Sequence, residues 1–131
     1  MKKQNEHQLH SQIVKYLKLK KALFTSTMGG VYLTSWKQKS IMKKHYAKGI
    51  PDILIFEPQT TQKPNQDGCN YYGGLAIEVK IGYNKPTIHQ TKWLNALDDR
   101  GWKSVVVYDF ESAKNIIDVY LENEHLNFDW K

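Results

Sequence analysis

Apolar residues recur along this chain in two rhythms. Over 6–20 the period is helical: Leu9, Ile13, Tyr16 and Leu17 fall on one face, the stripe by which an amphipathic helix lies on a core. Glu6 stands on the same stripe, one turn before Leu9. It is either a first-turn acid favoured by the helix dipole or a carboxylate aimed at a metal. Residues 22–25 predict a short strand and Met28-Gly29-Gly30 a turn. Residues 35–46 predict a second helix, with Ser35 as a candidate N-cap. Its apolar content is modest (Trp36, Ile41, Met42), so it reads as a basic surface element.

The rhythm then shortens. Ile53-Leu54-Ile55-Phe56 and Leu75-Ala76-Ile77-Glu78-Val79-Lys80 are brief runs bounded by Pro51 and by Gly73-Gly74, the pattern of buried strands. Between them, 57–74 is a loop containing Pro58, Pro64 and Gly68, longer than a hairpin connection needs. It is either a substrate-contacting flap, with Tyr71 and Tyr72 stacking on bases, or a tolerated insertion. Helical spacing returns over 87–100, stopped by Gly101, with Gln90, Trp93, Leu94 and Leu97 sharing a face. Thr87-x-x-Gln90 also fits a capping box. Residues 104–108 predict a strand. A last helix over 111–122 turns Ala113, Ile116, Ile117, Tyr120 and Leu121 to the core. Leu126, Phe128 and Trp130 alternate in the tail, as an edge strand or a dimer contact would. This order predicts an α/β sandwich, a mixed sheet with helices on both faces.

Charge sharpens the picture. The 131 residues carry a net charge of +6, but residues 1–50 hold eleven lysines and a single acid, Glu6, a balance of +10. The remainder is mildly acidic. Such asymmetry favours a polyanion, most simply a nucleic-acid backbone. Lys37, Lys39, Lys43, Lys44 and Lys48, with Lys85 beyond the second strand, are the candidate phosphate contacts, and His45 lies among them. The length predicts one domain over 1–131. No apolar stretch approaches the ~20 residues of a membrane span. Met1 leads into polar residues without the apolar core of a signal peptide. The lone Cys69 forms no internal disulfide, which fits an intracellular setting. His7, His10 and His89 lack cysteine partners and a zinc spacing.

The chemistry gathers at the two apolar runs. Asp52 opens the first strand, and Glu78 and Lys80 end the second on a common face, because strand side chains alternate. If the strands pair as a hairpin, Asp52 lies beside Glu78. Two carboxylates and an ammonium then meet at one spot, equipped to hold a divalent metal beside a phosphodiester. Separately, Pro-Asp also suits a turn and Glu-x-Lys a solvated strand edge.

Pro51-Asp52 followed by Glu78-Val79-Lys80 resembles the signature of the PD-(D/E)xK nuclease superfamily. Within it, the chain looks like a stand-alone VRR-NUC domain. Glu6, Gly29-Gly30, Lys48-Gly49-Ile50-Pro51-Asp52-Ile53-Leu54-Ile55, Ala76-Ile77-Glu78-Val79-Lys80, Gln90-x-x-Trp93-Leu94-x-x-Leu97 and Gly101 carry the match. The long loop at 57–74 and the lysine-rich 31–48 stretch depart from a minimal member without removing a motif residue. The resemblance implies a restriction-endonuclease-like αβββαβ(α) sandwich and a metal-dependent endodeoxyribonuclease. Mg²⁺ or Mn²⁺ would be held by Asp52, Glu78 and the Val79 carbonyl, with Glu6 direct or through water. Lys80 would orient or deprotonate the attacking water, and Gln90 would hydrogen-bond that water or the scissile phosphate, in preference to a capping role alone. It further implies branched DNA of the Holliday-junction kind as substrate, cut by a homodimer to leave 5′-phosphate and 3′-hydroxyl ends. The rivals are a flap-, nick- or duplex-directed nuclease and a non-catalytic nucleic-acid-binding module of the same fold.

Overall fold

The computed structural model describes residues 4–27, 47–60, 71–122 and 126–131. The expected turn at 28–30, the basic helix over 35–46 with Lys37, Lys39, Lys43, Lys44 and His45, and Cys69 lie outside the described residues.

Helix α1 (Glu6–Leu19) starts where Asn5 closes a capping box with Gln8: Asn5 Oδ1 accepts from the Gln8 amide at 2.8 Å, and Gln8 Oε1 accepts from the Asn5 amide at 3.0 Å. Two orphan donors are thereby satisfied. Leu9, Ile13 and Leu17 are fully buried, as their spacing predicts. Strand β1 (Phe24–Ser26) follows, then β2 (Ile53–Ile55), β3 (Gln59–Thr60), β4 (Tyr71–Tyr72), β5 (Leu75–Val79), α2 (Ile88–Asp99), β6 (Lys103–Val107) and α3 (Phe110–Tyr120). Short β3 and β4 pair as an antiparallel ribbon inside the segment expected to be loop. Tyr72 there is half-buried against the Tyr120 ring, and Tyr71 is exposed.

The main sheet runs β1-β2-β5-β6, antiparallel except for the parallel β5–β6 pair. Every residue of β5 is buried, as expected of a strand flanked on both edges and covered on both faces. One face presents Ile53, Ile55, Leu75, Ile77, Val79 and Val107 to α1 and α3, forming the hydrophobic core. By alternation, the other face carries Leu54, Ala76 and Glu78. Helix α2 packs over β5 and β6 there, burying Leu94 and accepting the Ser104 hydroxyl on the Leu94 carbonyl at 3.0 Å. This is the mixed, helix-flanked α/β sandwich that the sequence predicts.

The tail is not a strand. Residues 126–130 fold back on the junction of α1 and β1, where the Trp130 indole N–H donates to the Ala22 carbonyl at 2.8 Å and its ring meets Phe24 at 4.7 Å. The Phe128 amide donates to the Lys21 carbonyl. Trp130→Ala is expected to lower stability by about 2–3 kcal/mol, from lost ring burial and an unmet carbonyl. Urea unfolding measures it, and an unmoved midpoint would show that the tail contributes nothing.

Candidate active site

Strand register brings the two carboxylates together. Ile53 pairs with Ile77 across β2 and β5, so the next step outward sets Asp52 opposite Glu78. Asp52 is fixed from both sides. Its carbonyl accepts from the Thr27 amide at 2.8 Å, and its Oδ2 accepts from the Val79 amide at 2.8 Å. The Thr27 hydroxyl donates to the Pro51 carbonyl at 2.6 Å. The end of β1 thus clamps Pro51-Asp52 onto the sheet, and an Asp after Pro serves here as more than a turn residue.

Glu78 is 1% exposed, Asp52 6% and Lys80 9%, far from the solvated face that charged residues usually occupy. Lys80 Nζ lies 3.9 Å from Glu78 Oε1, and the Lys80 backbone is held by donation to the Val107 carbonyl. Burial pushes the Glu78 carboxyl up to about 8. The Asp52 charge and hydrogen bonding to Asp52 add to this, Lys80 opposes it, and the Glu6 charge raises it slightly further. Glu78 Oε2 is buried without a hydrogen-bond partner. A buried carboxylate oxygen left unmet is costly, and a hard divalent cation is the kind of partner that satisfies it. The donor set of Asp52, Glu78 and the adjacent Val79 carbonyl is all oxygen and fits Mg²⁺ or Mn²⁺. Among the described residues no three His, Cys, Asp or Glu side chains gather to hold a metal by themselves, so the site is built on a carboxylate pair.

The remaining expected residues divide. Glu6 is half-buried in the first turn of α1 and reaches Glu78 through its charge. Gln90 completes the capping box: its Oε1 accepts from the Thr87 amide at 2.8 Å while Thr87 Oγ1 accepts from the Gln90 amide at 3.2 Å. Its carbonyl oxygen is therefore occupied in starting α2. The first turn of α2 packs on the segment leading into Pro51-Asp52, where Gly49 lies directly against the His89 backbone. Lys48 and Lys85 are both exposed, Lys48 next to that contact and Lys85 before α2.

One neighbour of the site was weighed in the sequence only as a zinc ligand. His10, one turn after Glu6, is half-buried and hydrogen-bonded through Nε2 to Ser26 Oγ at 2.9 Å. Burial holds its imidazole below the ordinary value, the Asp52 charge pulls the other way, and His7 adds to the lowering. Its position four residues from Glu6 was the available signal.

A mixed sheet with a buried Asp–Glu pair and a lysine at the junction of two paired strands defines a restriction-endonuclease-like α/β domain. The solved structure of a protein described as a VRR_NUC domain protein matches this chain with a TM-score of 0.68, over 98% of this chain and 96% of its own, at 20% sequence identity. The chain has the fold of a VRR-NUC domain. No family model and no curated protein matches it. No helix among the described residues is long and apolar enough to cross a membrane.

Proposed function

We propose that this chain is a metal-dependent endonuclease that hydrolyses phosphodiester bonds in DNA, with branched DNA its first substrate class and a homodimer its working form. The observation that carries the reading is the buried Asp52–Glu78 pair, with one carboxylate oxygen unmet and Lys80 3.9 Å away. A purely structural carboxylate would have both oxygens met by cations, donors or solvent, whereas Glu78 has only Oε1 near Lys80 and leaves Oε2 unmet. Asp52, Glu78 and the Val79 carbonyl would hold Mg²⁺ or Mn²⁺, with Glu6 contributing charge from α1. A bound divalent cation supplies charge neutralisation at the phosphate and lowers the pKa of a water molecule.

The chain's own groups do the rest. Thr27 and Val79 keep Asp52 from rotating. Lys80 Nζ, two residues along the same strand face, would steady the attacking water as an ammonium or, in its neutral form, take its proton, help worth ~10²–10⁴ in rate. Lys48 and Lys85, both exposed, would contact phosphates of the bound strand. A homodimer would present two such sites by symmetry, as paired nicking of a junction requires.

The test is cleavage of labelled four-way junction, flap, nicked, duplex and single-stranded DNA with Mg²⁺, Mn²⁺ or EDTA. Metal-dependent, paired nicks confined to the junction, leaving 5′-phosphate and 3′-hydroxyl ends, are expected. Cutting of the other forms keeps the nuclease and removes the junction preference. Salt-sensitive binding without cutting by any metal replaces the enzyme with a binding module.

A further inference from the structure

Gln90, Trp93, Leu94 and Leu97 share a face of helix α2, yet only Leu94 is buried. Trp93, Ala96 and Leu97 are half-buried and form the floor of an open groove of about 480 Å³, walled by Lys48, His89, Lys92 and Arg100. No aromatic ring or cation among the described residues stacks on Trp93. Among the described residues nothing stacks on the apolar floor, and its rim is basic. Lys48, His89 and Lys92 are exposed. The Arg100 guanidinium donates one N–H to the Ala96 carbonyl at 2.9 Å, which lays it across one end of the groove. Asp98 and Asp99, on the same helix, do not line it.

We infer that this groove binds unpaired nucleotides opened at a branch point beside the cleavage site, with a base on the Trp93 ring and phosphates on Lys48, Lys92 and Arg100. The inference rests on the reading of the chain as a nucleic-acid enzyme and adds a substrate subsite to it. Charge complementarity chooses the ligand: a ring and aliphatic floor between cations matches a flat base between phosphates. Pairing state follows from the same geometry. A duplex buries the faces of its bases in the stack and offers this groove only phosphates, whereas an unpaired base exposes the face that Trp93 would meet. The groove also lies close to the active site along the chain. Lys48 adjoins Gly49, whose backbone touches His89, and Asp52 is three residues further on, at most about 11 Å along the chain. A strand carrying a phosphate every ~3.4 Å when stacked crosses that gap within a few nucleotides.

The test is fluorescence anisotropy of a short fluorescein-labelled oligothymidine, against a blunt duplex, in EDTA so that no cutting intervenes. Trp93→Leu, which keeps an apolar floor, is expected to weaken single-strand binding between about fivefold and about a hundredfold, with a much smaller effect on the duplex. Lys92→Ala combined with Arg100→Ala should lower the single-strand salt slope by about 1.4. Should Trp93→Leu melt early, Lys92→Glu, a change at an exposed position, reads the same groove. Unchanged single-strand affinity in folded variants overturns the proposal, and so does an equal loss for duplex. Cleavage in the substrate panel with groove-independent binding removes the groove alone. Groove-dependent binding by a protein that cuts with no metal keeps the groove and removes the nuclease.

Discussion

Glu78→Gln is expected to abolish metal-dependent cleavage while making the metal-free protein more stable at alkaline pH. The amide keeps the size of the carboxyl and removes one of the two carboxylates on which the site is built. Charge neutralisation by a catalytic metal is worth several kcal/mol, and each 1.36 kcal/mol is tenfold in rate. The loss should therefore be on the order of 10³ or more in kcat. Retained cleavage would dismiss Glu78 as a metal ligand. Binding of DNA in EDTA should persist, since the residue is too buried to meet a phosphate.

The stability half of that prediction follows from proton linkage. The folded chain keeps a proton on Glu78 up to about pH 8, while the unfolded chain releases it near the ordinary 4.5. Between those values the native state binds more protons, so stability falls as pH rises, by roughly 1.4 kcal/mol per pH unit from this group. The contribution is complete below about pH 4.5 and gone above about pH 8. Urea unfolding in EDTA from about pH 5 to pH 8 should show the slope in the wild type and its reduction in Glu78→Gln. Equal slopes would mean that Glu78 titrates normally. The unmet oxygen and the raised carboxyl are one fact: a group arranged to receive a cation holds a proton in its absence.

The same physics decides what the sequence made legible. Leu9, Ile13 and Leu17 are fully buried because a helical stripe has few places to go but a core. Asp52 and Glu78 meet because two short apolar runs with a carboxylate at corresponding ends pair in one register. Depth is harder to read than period. Trp93 and Leu97 share the stripe of Leu94, yet α2 touches the sheet through Leu94 and Ser104, leaving its flank as a groove. Strands β3 and β4 are two residues each, too short to show any alternation among prolines and glutamines. Trp130 finds Ala22 across 108 positions of chain, a contact that no local pattern contains. Gln90 marks a different limit, because a glutamine that suits a nuclease active site also suits the N3 position of a capping box.

Gly49→Ala should be far more damaging than a glycine-to-alanine change elsewhere in the chain with the same backbone angle. Gly49 has φ +92°, a conformation that side chains disfavour, and an added Cβ would lie 2.5 Å from the His89 carbonyl carbon and 2.6 Å from its oxygen. Backbone cannot step aside as a flexible side chain does, so the first turn of α2 and the Gly49 segment leading to Asp52 must move apart. Gly101 provides the control: its φ is +86°, but an added Cβ would meet nothing within 4 Å. Gly101→Ala therefore incurs the dihedral strain alone, about 1 kcal/mol. Gly49→Ala adds overpacking, for a total of roughly 2–5 kcal/mol. It should also shift the segment leading to Asp52, and a misplacement of ~1 Å costs about 10²-fold in rate. Thermal melts of both variants, with cleavage assayed where each remains folded, separate the two effects. If Gly49→Ala and Gly101→Ala lose equal stability and both cut normally, the Gly49–His89 contact does not position the site.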